Sequence, residues 1–367
     1  MGVTIADVAR AAGVSKGAVS YALNNRPGVS EATRSRILAH ARELGFKPNA
    51  QARSLSSSRA YAIGLVIAKD PALLGSDPFF PGFIAGLETV LADEDVTLVL
   101  TVATRPGAEE RAYRRLADGG RVDGFVLSDL RCADNRIALL RETGLPVVTL
   151  NRPDTDSPFP AVLVDDTAGV RNAVEHLIGL GHRRIGHVAG PQDLIHGRSR
   201  FRAWRDTMTE HGLDADLVAF TDFGAGSGVA GTEELLARTD PPTALVYAND
   251  VMAIAGMSAI AAGGRSVPVD VSVVGYDDAP IAGHLNPGLT TVATSPVHWG
   301  ELTARVLLRA IEHGPHLPDV TMAPPALVVR GSTAPPPGRR RPASSATAST
   351  TSSITAHHRS ASSTVRE

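Results

Sequence analysis

Cysteine is nearly absent from this chain of 367 residues. Cys132 is the only one, so no disulfide can form within the chain, and a reducing compartment is expected. Long apolar runs are missing too. Crossing a bilayer takes about 18 consecutive apolar residues; the best candidate, Ala253 to Ala262, is short and preceded by Asn249 and Asp250. No basic segment followed by an apolar one is visible at the start, so no secretion signal and no membrane are expected, and the expected location is the cytoplasm. Catalytic signatures are lacking as well. There is no G-x-x-x-x-G-K-[ST], no H-E-x-x-H and no G-x-S-x-G, and Gly226-Ser227-Gly228 has the wrong frame. His176, His182 and His187 are not spaced as metal ligands. No enzyme, cofactor or metal site is expected.

What is present is globular. Hydrophobic residues make up 43% of the chain, and its length allows two or three domains. The net charge is only −2, but it is unevenly spread. Residues 1–59 hold nine basic and three acidic residues, a formal +6 that leaves −8 on the rest. A basic end on an acidic body fits phosphate neutralisation by that end.

That basic end carries the strongest pattern. Ile5, Val8 and Ala9 share one helical face behind Thr4, an N-cap with Asp7 three residues on. Gly13 supplies a turn, and Ser15 caps a second helix whose buried stripe is Ala18, Val19, Ala22 and Leu23. Lys16, Gly17, Ser20 and Tyr21 face outward. Two short helices joined by a glycine turn make a helix-turn-helix, whose second helix enters the major groove. A third helix starts at Val29-Ser30-Glu31, carries Ile37, Leu38, Ala41 and Leu44, and stops at Gly45.

From Tyr61 strands alternate with helices, twice over. Strands are expected at 62–68, 96–102, 123–127 and 146–150, then at 162–164, 184–189, 243–247 and 271–276. Helices are expected at 108–117, 133–143, 167–180, 200–211 and 250–262, with a further stripe of Phe83, Leu87, Val90 and Leu91. Such alternation implies two parallel sheets covered by helices. Residues 333–367, with Pro335-Pro336-Pro337, Arg339-Arg340-Arg341 and a Ser/Thr/Ala-rich run, bury too little to order and are expected to be a disordered tail. No leucine heptad marks that tail for tetramerisation.

The run from Thr4 to Leu55 reads T-I-A-D-V-A-x-x-A-G-V-S, V-S-x-x-L-N, V-S-x-x-T-R and G-F-x-P-N-x-x-A-R-S-L. It resembles the headpiece of the lactose-repressor/galactose-repressor (LacI/GalR) family without a gap. Gly181 to His187 and Val273 to Asp278 resemble that family's regulatory core, which is similar to periplasmic sugar-binding proteins. The resemblance implies an all-α helix-turn-helix headpiece (1–46), a linker with a hinge helix (47–60) and an α/β two-lobed periplasmic-binding-protein-like core. Its first lobe would be 61–159 plus about 293–320 and its second 160–292 plus about 321–332, with crossings near 158–161, 291–294 and 320–323.

The resemblance also assigns roles. Lys16, Gly17 and Tyr21 would read bases, with Gly17 allowing close approach. Ser15, Ser20, Asn24 and Arg34 would serve the DNA backbone, and Thr4 would also belong to the DNA-binding surface. Ala18 stands where a polar residue is usual. In the hinge, Asn49, Ala52 and Arg53 would face the minor groove and Leu55 would wedge a central base step, once paired with its twin in a homodimer.

Ligands of doubly wound sheets bind outside the carboxyl ends of strands. Phe79, Phe80, Asn151, Arg152, Asn249 and Asp277 follow strands, Arg200 is expected to open a helix there, and Phe223 would be a further apolar wall. Aromatic faces with Arg, Asp and Asn suit a polyol. Ser128 and Asp129 are weaker candidates, and Thr294 stands where many relatives carry glutamine. The implied function is a transcriptional repressor that binds a palindromic operator as a dimer under control of a sugar. The alternatives are a solute-binding protein and a regulator answering to a nucleobase or nucleoside.

Overall fold

The structure is a computed structural model in which residues 3–23, 27–46 and 59–338 are described. Three helices form the N-terminal unit: α1 (Ile5–Ala12), α2 (Lys16–Leu23) and α3 (Glu31–Glu43). Asp7 accepts both the Thr4 N–H (3.0 Å) and the Thr4 hydroxyl (2.7 Å), which fixes the start of α1. Gly13 ends α1 at φ 62°, a conformation that glycine adopts without a Cβ clash. Val8, Ala9, Ala12, Val19, Ala22, Ile37 and Ala41 form the small core beneath. Ala18 and Leu23 lie at its margin, and Leu44, expected inside, caps α3 and is exposed.

The rest is two six-stranded sheets. The first has the order β11-β5-β4-β3-β1-β2, from β1 (Ala62–Ile67), β2 (Thr97–Val102), β3 (Gly124–Leu127), β4 (Val147–Leu150), β5 (Ala161–Leu163) and β11 (Val320–Thr321). All its pairings are parallel. β1 is buried throughout, as a strand covered on both faces must be. Ile63, Leu65 and Ile67 pack on one side with Phe80, Phe83 and Leu87 of α5 (Phe79–Asp93) and with Leu307 of α12 (Pro296–His313). Val66 packs on the other side with Tyr113 and Leu116 of α6 (Ala108–Asp118). Gly86 and Gly300 let α5 and α12 touch backbone to backbone; a Cβ on either would run into the other helix. α4 (Pro71–Ser76) and α7 (Arg136–Glu142) complete this lobe.

The second sheet has the order β12-β10-β9-β8-β6-β7, from β6 (Ile185–Ala189), β7 (Val218–Phe220), β8 (Ala244–Tyr247), β9 (Ser272–Asp277), β10 (Thr290–Ala293) and β12 (Ala326–Val328). Only β12 runs antiparallel to its neighbour. α8 (Asp166–Leu180), α9 (Ile195–Glu210), α10 (Ala225–Leu236) and α11 (Asp250–Ala262) cover it. β7 and α10 had no counterpart in the sequence reading.

One crossing moves. β5 pairs with β4 through Ala161 and Val162, so the chain completes the first sheet before leaving it between Leu163 and Asp166 rather than at 158–161. The other two passages fall between Ala293 and Pro296 and between Thr321 and Ala326. The expected tail also starts too early. Ala334 N–H donates to Ser272 Oγ (3.0 Å), the buried His182 Nε2 donates to the Ala334 carbonyl (2.8 Å), and Thr333 Oγ1 meets His176 Nε2 at 3.0 Å. These polar groups of the second lobe hold residues that composition alone placed outside it. Residues 339–367 lie outside the described residues.

Between the lobes, loop 130–132 meets loop 193–195. Cys132 N–H donates to the Asp193 carbonyl (2.7 Å) and Ile195 N–H to that of Leu130 (2.9 Å). Among the described residues no helix is long and apolar enough to cross a membrane.

Candidate functional site

Burial of Val19 and Ala22 orients α2, because residues three apart share a helix face. Lys16, Gly17 and Tyr21 are therefore exposed, with Ser20 half-buried beside them. Ser15 Oγ accepts the Ala18 N–H (3.1 Å) and so caps this helix. Thr4 is exposed at the start of α1, with its hydroxyl on Asp7. Arg34 is half-buried on α3. These residues lie on one small three-helix unit. Asn24, Asn49, Ala52, Arg53 and Leu55 lie outside the described residues.

Between the lobes lies an open cavity with about 690 Å³ of empty space, part of it open to solvent. Six of the eight expected ligand residues line it: Phe79, Asn151, Arg200, Phe223, Asn249 and Asp277. Phe80 and Arg152 do not. Consecutive helical residues point about 100° apart, so Phe79 faces the cavity while Phe80 is buried in the first-lobe core. Arg152 lies beyond the positive-φ residue Asn151 (φ 67°). It pairs with Asp319 and donates to the Phe159 carbonyl at 3.0 Å, within its own lobe.

Arg200 sits in the second turn of α9, which begins five residues earlier than expected. Its Nη2 pairs with Asp166 (3.1 Å), its Nη1 donates to the Ala248 carbonyl (2.7 Å), and its guanidinium lies 3.7 Å from the centre of the Tyr276 ring. Tyr276 donates to the same Asp166 oxygen (2.8 Å). Burial opposes the charge on Arg200, but Asp166 and its neighbours hold its pKa above the ordinary value.

Asn249 caps α11, accepting the Met252 N–H (2.9 Å) while donating to the Phe223 carbonyl (3.0 Å). Phe223 (φ 71°) stacks on His196, ring centres 5.2 Å apart. Asn151 Oδ1 accepts the Val164 N–H (2.6 Å), tying it to the first passage between lobes. Burial pushes the Asp277 carboxyl well above the usual carboxylate range, with Arg200 pulling the other way. Thr294, the departure noted in the sequence, donates to the Asp277 carbonyl (3.2 Å).

Further lining residues escaped the sequence reading. Lys69 bonds Asp77 (2.7 Å) and lies 3.6 Å from Asp129. Burial opposes its charge, but Asp129 and Asp77 overcome this and raise its pKa. Asp166 and His196 come from the starts of α8 and α9. Trp299 comes from α12 and meets Phe79 edge-on at 5.6 Å. Lys69 follows β1 as Asp129 follows β3, so the strand-end rule covered both. Trp299 had no such signal. Burial lowers the pKa of His196, so the wall carries two cations against four carboxyl groups, Asp77, Asp129, Asp166 and Asp277. Ser128 is buried and does not reach the cavity.

Comparison with known proteins agrees with this architecture. Residues 4–49 match the bacterial regulatory proteins of the lacI family, and residues 174–333 match the periplasmic binding protein-like domain. The HTH-type transcriptional regulator CelR of Thermobifida fusca is 36% identical over 312 residues, 84% of this chain and 92% of that one. MalR of Streptomyces coelicolor is 35% identical over 343 residues, 90% of this chain and 96% of that one. Among solved structures, the lac repressor dimer bound to operator and the anti-inducer ONPF matches with a TM-score of 0.78 at 28% identity, over 91% of this chain and 100% of that one. A CelR–cellobiose complex matches with a TM-score of 0.70 at 35% identity, over 90% and 99%. The chain belongs to the lacI family of bacterial regulatory proteins and is a transcriptional regulator, not an enzyme.

Proposed function

We propose that this regulator is a cytoplasmic repressor that binds a palindromic operator as a homodimer, and that a neutral sugar in the inter-lobe cavity controls its affinity for DNA. The observation that carries the ligand class is the state of the charges in the cavity. Lys69 is already held by Asp77 and Asp129, and Arg200 by Asp166. An anionic ligand would have to break those pairs, in which Asp77, Asp129 and Asp166 already face the two cations. A neutral polyol adds hydroxyls to the carboxylates and lays its ring on Phe79, Trp299 or Phe223. The CelR–cellobiose complex supports the same class.

Lys16 and Tyr21 read base edges, and Thr4, Ser15, Ser20, Asn24 and Arg34 position the backbone. Asn49, Ala52, Arg53 and Leu55 act in the minor groove. Effector and operator must alter each other's affinity by the same factor.

Thermal shift against glucose, maltose, cellobiose, glucose-6-phosphate, galacturonate and hypoxanthine tests the ligand. A neutral sugar at one hundred times its Kd adds about 2.7 kcal/mol of stability, a shift of several degrees. A response confined to hypoxanthine would favour the nucleobase reading, and one to the anions alone would overturn the charge argument. Deleting residues 1–59 is expected to abolish operator binding.

A further inference from the structure

Asp250 is the first residue of α11 and is fully buried, yet it lines no part of the cavity. An acid in a first helical turn usually serves the helix dipole from the surface. Here Asn249 caps the helix, and the Asp250 carboxylate turns away to the loop after β9. Its Oδ2 accepts the Ala279 N–H (2.7 Å) and its Oδ1 the Thr291 hydroxyl (2.6 Å). Thr291 Oγ1 in turn accepts the Asp278 N–H (3.4 Å). Gly275 makes room for this arrangement, since a Cβ there would collide with Asp250 Oδ1.

The loop so held is unusual. Asp277 has φ 118° and Asp278 φ 55°, a left-handed pair without a glycine. Such a backbone persists only where its surroundings over-determine it. Arg330 fixes Asp278 from the far side, Nη2 to Oδ1 at 2.7 Å. The turn is what presents Asp277 to the cavity.

We infer that Asp250 is a positioning residue for effector binding: through Thr291 and the Ala279 amide it holds the Asp277–Asp278 turn, and it acts on effector affinity only by way of Asp277. The second clause rests on the proposed role of Asp277 in the cavity.

The test uses the full chain in six forms: wild type, Asp250→Ala, Asp250→Asn, Gly275→Ala, Asp277→Ala and the double variant Asp250→Ala/Asp277→Ala. Hydrogen exchange without ligand, resolved at single amides, should quicken at least tenfold at Asp278 and Ala279 in Asp250→Ala and in Gly275→Ala. Exchange in the rest of α11 should stay as in wild type. Calorimetric titration with cellobiose should show about tenfold weaker binding in Asp250→Ala, no further loss from that change in the Asp277→Ala background, and partial recovery in Asp250→Asn. Unchanged exchange at the two amides, exchange that quickens equally across β8, β9 and α11, or additive losses in the double variant would each overturn the inference. If wild type does not bind cellobiose, the ligand proposal suffers, and the exchange pattern still decides whether Asp250 holds the turn.

Discussion

The headpiece and the cleft place their polar chemistry in opposite settings. On α2, Lys16, Gly17 and Tyr21 stand in water above a core of seven small and medium residues. In the cleft, Arg200 and Asp166 are buried, and Lys69 is largely enclosed between Asp77 and Asp129. A face that meets a polyanion from outside gains by leaving its donors accessible, because released counterions supply much of the affinity. A cavity that meets a small neutral molecule must satisfy its own charges first, since an unpaired buried charge is costly. Changes in the cleft should therefore act strongly on stability, and changes on α2 should act on DNA with little effect on the fold.

The largest expected effect that sharpens this contrast is at Arg200. Replacing it with Leu leaves Asp166 buried with only Tyr276 as a donor. Breaking a buried pair in this way costs about 3–5 kcal/mol, so the core should melt on the order of 10 °C lower. Removing the carboxylate as well, in Arg200→Leu/Asp166→Asn, should recover most of the loss. Calorimetric melting of the three proteins checks this. A loss that the second change does not recover would mean the guanidinium acts through packing on Tyr276 rather than through the ion pair.

Acid should separate the regions next. Burial lowers the pKa of His176, His182, His187 and His196, all in the second lobe, and takes His187 down to about 4. Below pH 6.5 the unfolded chain takes up a proton that folded His187 refuses. Its contribution is thus complete above pH 6.5 and is lost as the pH falls towards 4, by up to roughly 3 kcal/mol. Asp250 works the other way, since burial raises its pKa to about 6, and stability rises as it protonates. Comparing wild type with His187→Gln isolates the histidine, because glutamine can still donate to the Val246 carbonyl that His187 meets at 2.8 Å. The difference in melting temperature between the two should shift against wild type from pH 7 to pH 4. A constant difference would mean that His187 does not titrate as its burial requires. The described headpiece holds no fully buried histidine.

The same contrast explains what could be read from the sequence. The headpiece is local. Thr4 with Asp7, Gly13, Ser15 and the spacing of Val8, Val19 and Ile37 each speak for structure within a few residues, and they are realised in α1 to α3. The cleft gathers side chains from segments far apart in the chain. Strand ends pointed to Phe79, Asn151, Asn249 and Asp277, because ligands meet parallel sheets there. Nothing local marked Trp299, which reaches the cavity only after the chain has returned to the first lobe. Phe80 and Arg152 show the limit of the strand-end rule, which names a loop but not which of two neighbours turns inward. The first crossing was misplaced because Ala161-Val162-Leu163 reads as an apolar strand in either lobe; only its pairing with β4 decides.

Gly17 offers the smallest effect and the finest division between the two regions. A Cβ there would meet nothing closer than Ser15 Oγ at 3.7 Å, so Gly17→Ala introduces no clash within the headpiece. Alanine favours a helix over glycine by roughly 1 kcal/mol, and amide exchange in α2 should slow. If the glycine serves only local conformation, a better-ordered helix should hold the operator at least as well. If it lets the α2 backbone approach the base edges, the added methyl should weaken binding several-fold although the helix is more stable. The second outcome is expected, because Lys16 and Tyr21 flank Gly17 on the exposed face and leave a gap that only backbone can fill. Fluorescence anisotropy on an operator duplex, read beside the exchange data, distinguishes the two. Tighter binding by Gly17→Ala would show that the recognition face has room to spare and that its specificity rests on Lys16 and Tyr21 alone.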